Sequence, residues 1–192
     1  MFNDLTTPLS FLATRRSGKP RDMIAPGPDA DQLRAIVSLA GRVPDHGKLA
    51  PWRFVVVGPD RRDAFAALLQ AAYRIDKPDA GRAETDAIDQ FAHQAPTLVV
   101  VLSSPRRDSK IPLWEQELSA GAACMQLLNA AGAHGFVGGW LTGWAAFSPT
   151  VRDAFGTEDE RIAGFVFIGS PARPLDERPR PDMGQILSFW QD

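Results

Sequence analysis

Two guanidiniums and a hydroxyl stand together at Arg15-Arg16-Ser17, and a second group, Arg42 with His46, flanks the turn Val43-Pro44-Asp45. Guanidinium offers planar, permanently charged, bidentate donors, and serine adds a short one, a set that suits a phosphate monoester. By composition alone an Arg-Arg pair also reads as solvated surface. The second group lies just ahead of Pro51-Trp52-Arg53-Phe54 and the apolar run Phe54-Val55-Val56-Val57. Other chemistries find little footing. Ser119 and Thr142 lie near glycines but in no Gly-x-Ser-x-Gly elbow. His46, His93 and His134 are far apart, no two at ligand spacing, and there is no cysteine pair, so no metal site is expected. No Gly-x-Gly-x-x-Gly opens a helix after a strand. A chain without an evident acid, base or nucleophile fits one that holds a cofactor and lets it carry the reaction.

Size and patterning define the elements that must position these groups. At 192 residues and 44% apolar composition, the chain suits one domain, residues 1–192, with a sizeable core. A net charge of −2 and scattered arginines argue against nucleic-acid binding. The lone Cys124, among alanines and a methionine, reads as a packed thiol and fits a reducing compartment. Met1 to Arg15 is too polar for a signal peptide, so a cytoplasmic location is expected. Residues 118–151 hold no Asp, Glu, Lys or Arg, yet Gly132, Gly135, Gly138, Gly139 and Pro149 interrupt the stretch. It reads as a buried helix followed by a buried strand, not as a membrane span.

The spacing of Leu5, Leu9, Leu12 and Ala13 predicts a short helix over Leu5 to Thr14, ending at the arginines. Residues 18–28, with Pro20, Pro26, Gly27 and Pro28, read as an extended loop. Asp29 with Gln32 three residues on predicts a capped helix start, and Pro44 ends that helix. Strands are predicted at Arg53–Gly58, Thr97–Leu102, Phe136–Leu141 and Arg161–Gly169. Helices are predicted at Asp60–Tyr73, 83–93, Leu113–Ala133 and Ser148–Phe155. Helices outweigh strands, which gives a mixed α+β layer design. Pro171, Pro174, Pro179 and Pro181 make an extended tail with an apolar end at Ile186, Leu187, Phe189 and Trp190.

Taken in order, several segments resemble the flavin-dependent nitroreductase family, in particular its short, single-domain bacterial branch with Arg-Arg-Ser and a Pro-Asp-His turn. The matching segments are Arg15-Arg16-Ser17, Pro44-Asp45-His46, Pro112-Leu113-Trp114-Glu115-Gln116-Glu117 with Ser119-Ala120-Gly121, Gly135 to Trp140 with Thr142-Gly143, and Gly164 to Gly169. The resemblance spans roughly residues 5 to 170 and is least in the Pro-rich tail. It implies a central, mostly antiparallel sheet flanked by helices, in an intertwined homodimer with FMN at the subunit interface. The tail, 171–192, is then expected to pack on the partner subunit. The implied activity is that of an FMN-dependent NAD(P)H oxidoreductase, reducing nitroaromatic or quinone-like acceptors by ping-pong hydride transfer. Two other readings stay open: a dedicated flavin-dependent biosynthetic or dehalogenating reaction, or a flavin-binding protein without turnover.

Residue by residue, the resemblance implies that Arg15, Arg16 and Ser17 bind the FMN phosphate and pyrimidine edge, without saying which arginine meets the phosphate. Arg42 and His46 match positions that reach the flavin from the other subunit. Trp140, Leu141 and Thr142 match the segment that passes the flavin ring. There Gly138 and Gly139 are expected to let backbone N–H groups approach the cofactor. Ala130, Ala131, Gly132, Ala133, His134 and Gly135 match the segment for the nicotinamide cosubstrate, with NADH and NADPH undecided. Two departures stand out. Leu141 takes the place of a frequent basic residue, and Arg173 is the available late cation. Glu115 and Glu117 read as solvent-facing or salt-bridged.

Overall fold

A computed structural model describes residues 2–191; Met1 and Asp192, the two ends of the expected domain, lie outside the described residues. The elements in chain order are α1 (Pro8–Thr14), β1 (Met23–Ile24), α2 (Ala30–Ala40), β2 (Trp52–Val57), α3 (Arg62–Asp76), α4 (Arg82–His93), β3 (Thr97–Ser103), α5 (Leu113–Ala133), β4 (Val137–Leu141), α6 (Trp144–Phe147), α7 (Pro149–Asp153), β5 (Arg161–Pro171) and α8 (Met183–Ile186). The expected α+β design is what the chain forms. Its strands make one five-stranded sheet in which every pairing is antiparallel.

β5 organises that sheet. One of its edges pairs with β3, from Thr97 opposite Ile168 to Ser103 opposite Arg161. β4 pairs with β5 from Val137 opposite Gly169 to Leu141 opposite Phe165, and β1 pairs with the far end of β5, with Met23 opposite Pro171. β2 lies outside β3.

Helices cover both faces, which explains why β3 reads as an unbroken apolar run. Leu98, Val100 and Leu102 of β3 join Phe165 and Phe167 of β5 in a core with Phe65 and Leu69 of α3. The alternate residues Val99, Val101, Val166 and Ile168 face Ile36 of α2 and Cys124 and Leu127 of α5. Strand periodicity of two therefore feeds two cores from one strand. Burial pushes the Cys124 thiol up to about 12, so it stays a neutral, packed group. No helix among the described residues is long and apolar enough to cross a membrane.

Several boundaries move for local reasons. α1 begins at Pro8, not Leu5, because the Thr7 hydroxyl accepts from the Ser10 N–H at 3.0 Å and Pro8 takes the first helical position. The helix expected at Ser148–Phe155 forms as α7 with Pro149 at its first position, and a separate short helix, α6, precedes it over Trp144–Phe147, where none was expected. Residues 18–28 are mostly irregular but contain β1, a two-residue strand too short to leave a periodic signal.

Candidate functional site

A cleft of about 650 Å³ opens between the segment from Arg15 to Met23, the outer end of β4, the Met125–Leu128 face of α5 and the tail from Pro171 to Arg178. Glycines allow the walls to meet. The Gly18 N–H donates to the Gly138 carbonyl at 3.1 Å, laying the arginine segment along β4. A Cβ at Gly139 would stand 2.6 Å from the Gly18 carbonyl oxygen, and one at Gly138 the same distance from Leu128 Cδ2. These two glycines thus admit neighbouring protein, and Gly139 also lines the cleft.

The adjacent arginines part company. Backbone bonds hold both: Arg15 N–H donates to Phe11 O at 2.8 Å and Arg16 N–H to Asn3 Oδ1 at 2.8 Å. The Arg15 side chain lines the cleft, with a long 3.4 Å contact from Nη1 to Ser17 Oγ. Among the described residues no carboxylate pairs with it. Burial, followed by the nearby Arg180 and Arg16 charges, pulls its guanidinium below the usual arginine range, although it stays protonated at neutral pH. Arg16 stays at the rim of the cleft, outside its lining. Its Nη2 donates to Glu177 of the tail, its guanidinium stacks 4.7 Å from the Phe2 ring centroid, and its buried Nε has no acceptor.

Trp140 and Leu141 also line the cleft. The Trp140 indole Nε1 donates to Ala163 O at 3.0 Å and lies over Gly164, where any Cβ would collide with the ring. Thr142 instead lines a neighbouring, mostly apolar cleft of about 300 Å³ with Tyr73, Phe91 and Trp144. The turn between α2 and β2 carries Arg42 and His46, both exposed and neither lining either cleft. His46 Nδ1 lies 2.8 Å from Glu115 Oε2, at the start of α5. Glu115 is therefore engaged by the His46 ring, while Glu117 pairs with Arg161 at 3.7 Å.

The segment Ala130 to Gly135, which the resemblance matches to a nicotinamide cosubstrate, lies outside both clefts. Ala130, Ala131 and Gly132 are buried, and a Cβ at Gly132 would stand 2.7 Å from the Phe11 ring. Ala133, His134 and Gly135 close α5: Gly135 has φ +85°, its N–H donates to Gly132 O at 2.9 Å, and Phe136 N–H donates to Ala131 O at 3.0 Å. That pair of bonds is a Schellman cap. The glycines serve helix termination and packing.

Sequence reasoning missed much of the cleft wall. Lys19 extends the basic run and pairs with Asp176 at 2.8 Å, while Arg173 pairs with Asp22. The tail expected on a partner subunit thus runs, over Pro171 to Arg178, along its own chain's cleft. The Asp176-Glu177 pair, a run of two acids in the tail, was the available signal. Two buried ionic groups away from the cleft were missed as well. Arg62 donates from Nη1 to Ala92 O at 2.8 Å and Gln94 O at 3.3 Å and from Nη2 to Ala95 O at 3.3 Å, and burial lowers it to about 10. Glu160 accepts from Arg53 at 2.8 and 2.9 Å and from Ser104, and the Arg53 bonds lead in holding it down to about 2.

Comparison with known proteins agrees with this architecture. The sequence matches the model described as "Nitroreductase family" over residues 12–170. It is 36% identical over 167 residues to "Putative NAD(P)H nitroreductase YdjA" of Escherichia coli (strain K12), covering 85% of this chain and 87% of that protein. It is 38% identical over 164 residues to a "Putative NAD(P)H nitroreductase" of Haemophilus influenzae, covering 84% and 87%. Among solved structures, a nitroreductase-like protein from Bacillus cereus superposes with a TM-score of 0.80 at 17% identity over 97% of each chain. A nitroreductase with bound FMN from Bacteroides fragilis superposes with a TM-score of 0.68 at 19% identity, over 95% of this chain and 98% of that one. The all-antiparallel sheet organised by β5, the arginine segment laid against β4 and a family match spanning α1 through β5 converge: the chain belongs to the nitroreductase family.

Proposed function

We propose that this protein is an FMN-dependent NAD(P)H oxidoreductase that reduces nitroaromatic or quinone-like acceptors and works as a homodimer. The observation that carries this reading is Arg15, a half-buried guanidinium in a 650 Å³ cleft with no carboxylate to neutralise it among the described residues. A buried charge calls for a partner. With Ser17 beside it, Arg15 fits a phosphate monoester, and Trp140, Leu141, Met125 and Leu128 supply apolar wall for a flat ring. The names of the curated relatives supply the nicotinamide donor and the nitro acceptor. FMN, when bound, would relay two electrons from nicotinamide to acceptor. The chain's own part is to hold the phosphate, wall the ring and keep water from that wall.

The dimer reading rests on exposed apolar surface. Leu113, Trp114 and Leu118 stand out from the first half of α5, while Leu5, Leu9 and Leu12 lie in and just before α1, and Phe189 and Trp190 end the tail. Scattered leucines are ordinary, but grouped ones mark an interface. His46, bonded to Glu115, borders the α5 group. On this reading Arg42 and His46 complete the site of a second copy that covers α5, and the tail beyond Met183 packs on that copy. Use of a nicotinamide donor, NADH or NADPH, and a cytoplasmic location belong to the same proposal.

Steady-state oxidation of NADH and NADPH by FMN-loaded protein tests the activity. Parallel double-reciprocal plots with a nitroaromatic or a quinone are expected. Retained FMN without turnover on any acceptor would instead identify a flavin carrier.

A further inference from the structure

We propose that Glu177 is a resident competitor for the FMN phosphate at the Arg15–Arg16 pair, so that the tail sets how tightly the cofactor is held. The inference rests on the reading of the cleft as the FMN site. Glu177 accepts from Arg16 Nη2 at the edge of the cleft, while Arg15 next to it has no carboxylate among the described residues. Carboxylate and phosphate oxygens meet guanidinium through the same forked donors, so both cannot saturate Arg16 at once. Glu177 also leaves the site partly satisfied. The Arg16 side chain is only 10% exposed, and its Nε is buried without an acceptor. Unmade bonds of buried donors are costly, and a phosphate carries an additional oxygen to meet them.

The exchange is mechanically easy. Glu177 is 57% exposed, and an ion pair with one exposed partner is weak enough to give way. Its carboxylate already lies 3.7 Å from Arg180, so release from Arg16 leaves it beside another cation. The neighbouring Lys19–Asp176 pair, 2.8 Å apart with both side chains more than half exposed, can open with it. The Arg16 bond holds the Glu177 carboxyl below its ordinary range, so the competitor is charged at neutral pH.

Titration of the full-length apoprotein with FMN and with riboflavin, followed by flavin fluorescence, tests the exchange. Glu177→Gln should bind FMN about three- to fivefold tighter than the parent, the range of an exposed ion pair. Riboflavin, which lacks the phosphate, should bind both proteins equally. In an Arg16→Ala background the Gln substitution should add nothing. Equal FMN affinity of parent and Glu177→Gln, or a gain shared by riboflavin, overturns the competition while leaving the FMN site intact. Failure of the parent and the variant alike to bind FMN overturns the site assignment and the competition together.

Discussion

At the scale of single residues, Arg15 carries the proposed FMN site. Arg15→Ala removes a charge-assisted contact worth about 1.5–3 kcal/mol, so FMN affinity in a fluorescence titration should fall about tenfold to a hundredfold. Arg15→Lys keeps the charge but loses the fork and should fall between the two. An unchanged affinity in Arg15→Ala would remove the residue from the site. Gly164→Ala should also weaken FMN, because the new methyl group collides with the Trp140 ring and pushes it out of the cleft wall; a shifted tryptophan emission would accompany the loss. The site was partly legible in the sequence. Arg15, Ser17, Trp140 and Leu141 meet in one cleft, whereas Arg16 and Thr142 do not line it. Arg15 has extended backbone, φ −59° and ψ 131°, and in an extended segment successive side chains diverge. A tripeptide motif cannot show which member faces inward. Nor does a glycine in sequence reveal whether it admits a ligand or, like Gly132 and Gly139, a Phe11 ring and a Gly18 carbonyl.

At the scale of elements, ionic clasps hold connections together. Arg62 on α3 ties down three carbonyls, those of Ala92, Gln94 and Ala95, where α4 turns into β3. Arg62→Ala should destabilise the fold by about 3 kcal/mol in urea unfolding, through unpaired buried carbonyls and a lost stem. Glu160 links the start of β2, through Arg53, to Ser104 after β3. Its carboxyl sits at about 2 when folded, against an ordinary 4.5. The stabilisation is therefore complete above the unfolded value and is lost as pH falls from about 4.5 towards 2. Glu160→Gln should be less stable at neutral pH by about 2–3 kcal/mol and lose less on acidification, read from unfolding midpoints across that window. An equal acid loss in both proteins would dismiss the clasp. The long elements were readable because their patterns are strong: α5 runs from Leu113 to Ala133 as its spacing predicts, and β3 follows its apolar run. Ion pairs between distant segments, and the two-residue β1, leave no period to read.

At the scale of the whole molecule, a shared flavin site requires two copies. Leu118→Lys places a charge in the exposed apolar group of α5 and should shift the protein from dimer to monomer in light scattering at micromolar concentration. On the proposed shared site, FMN retention should fall with it, because Arg42 and His46 would then have no partner site to complete. A monomeric parent that keeps FMN would contradict the shared site. The most direct measurement is the visible absorption spectrum of the native protein, taken without oxygen before and after NADH or NADPH is added. The expected result is an oxidised flavin band that bleaches on addition of the donor and returns with a nitroaromatic or quinone. A colourless protein that takes up no added FMN would contradict the assignment of this cleft to a flavin.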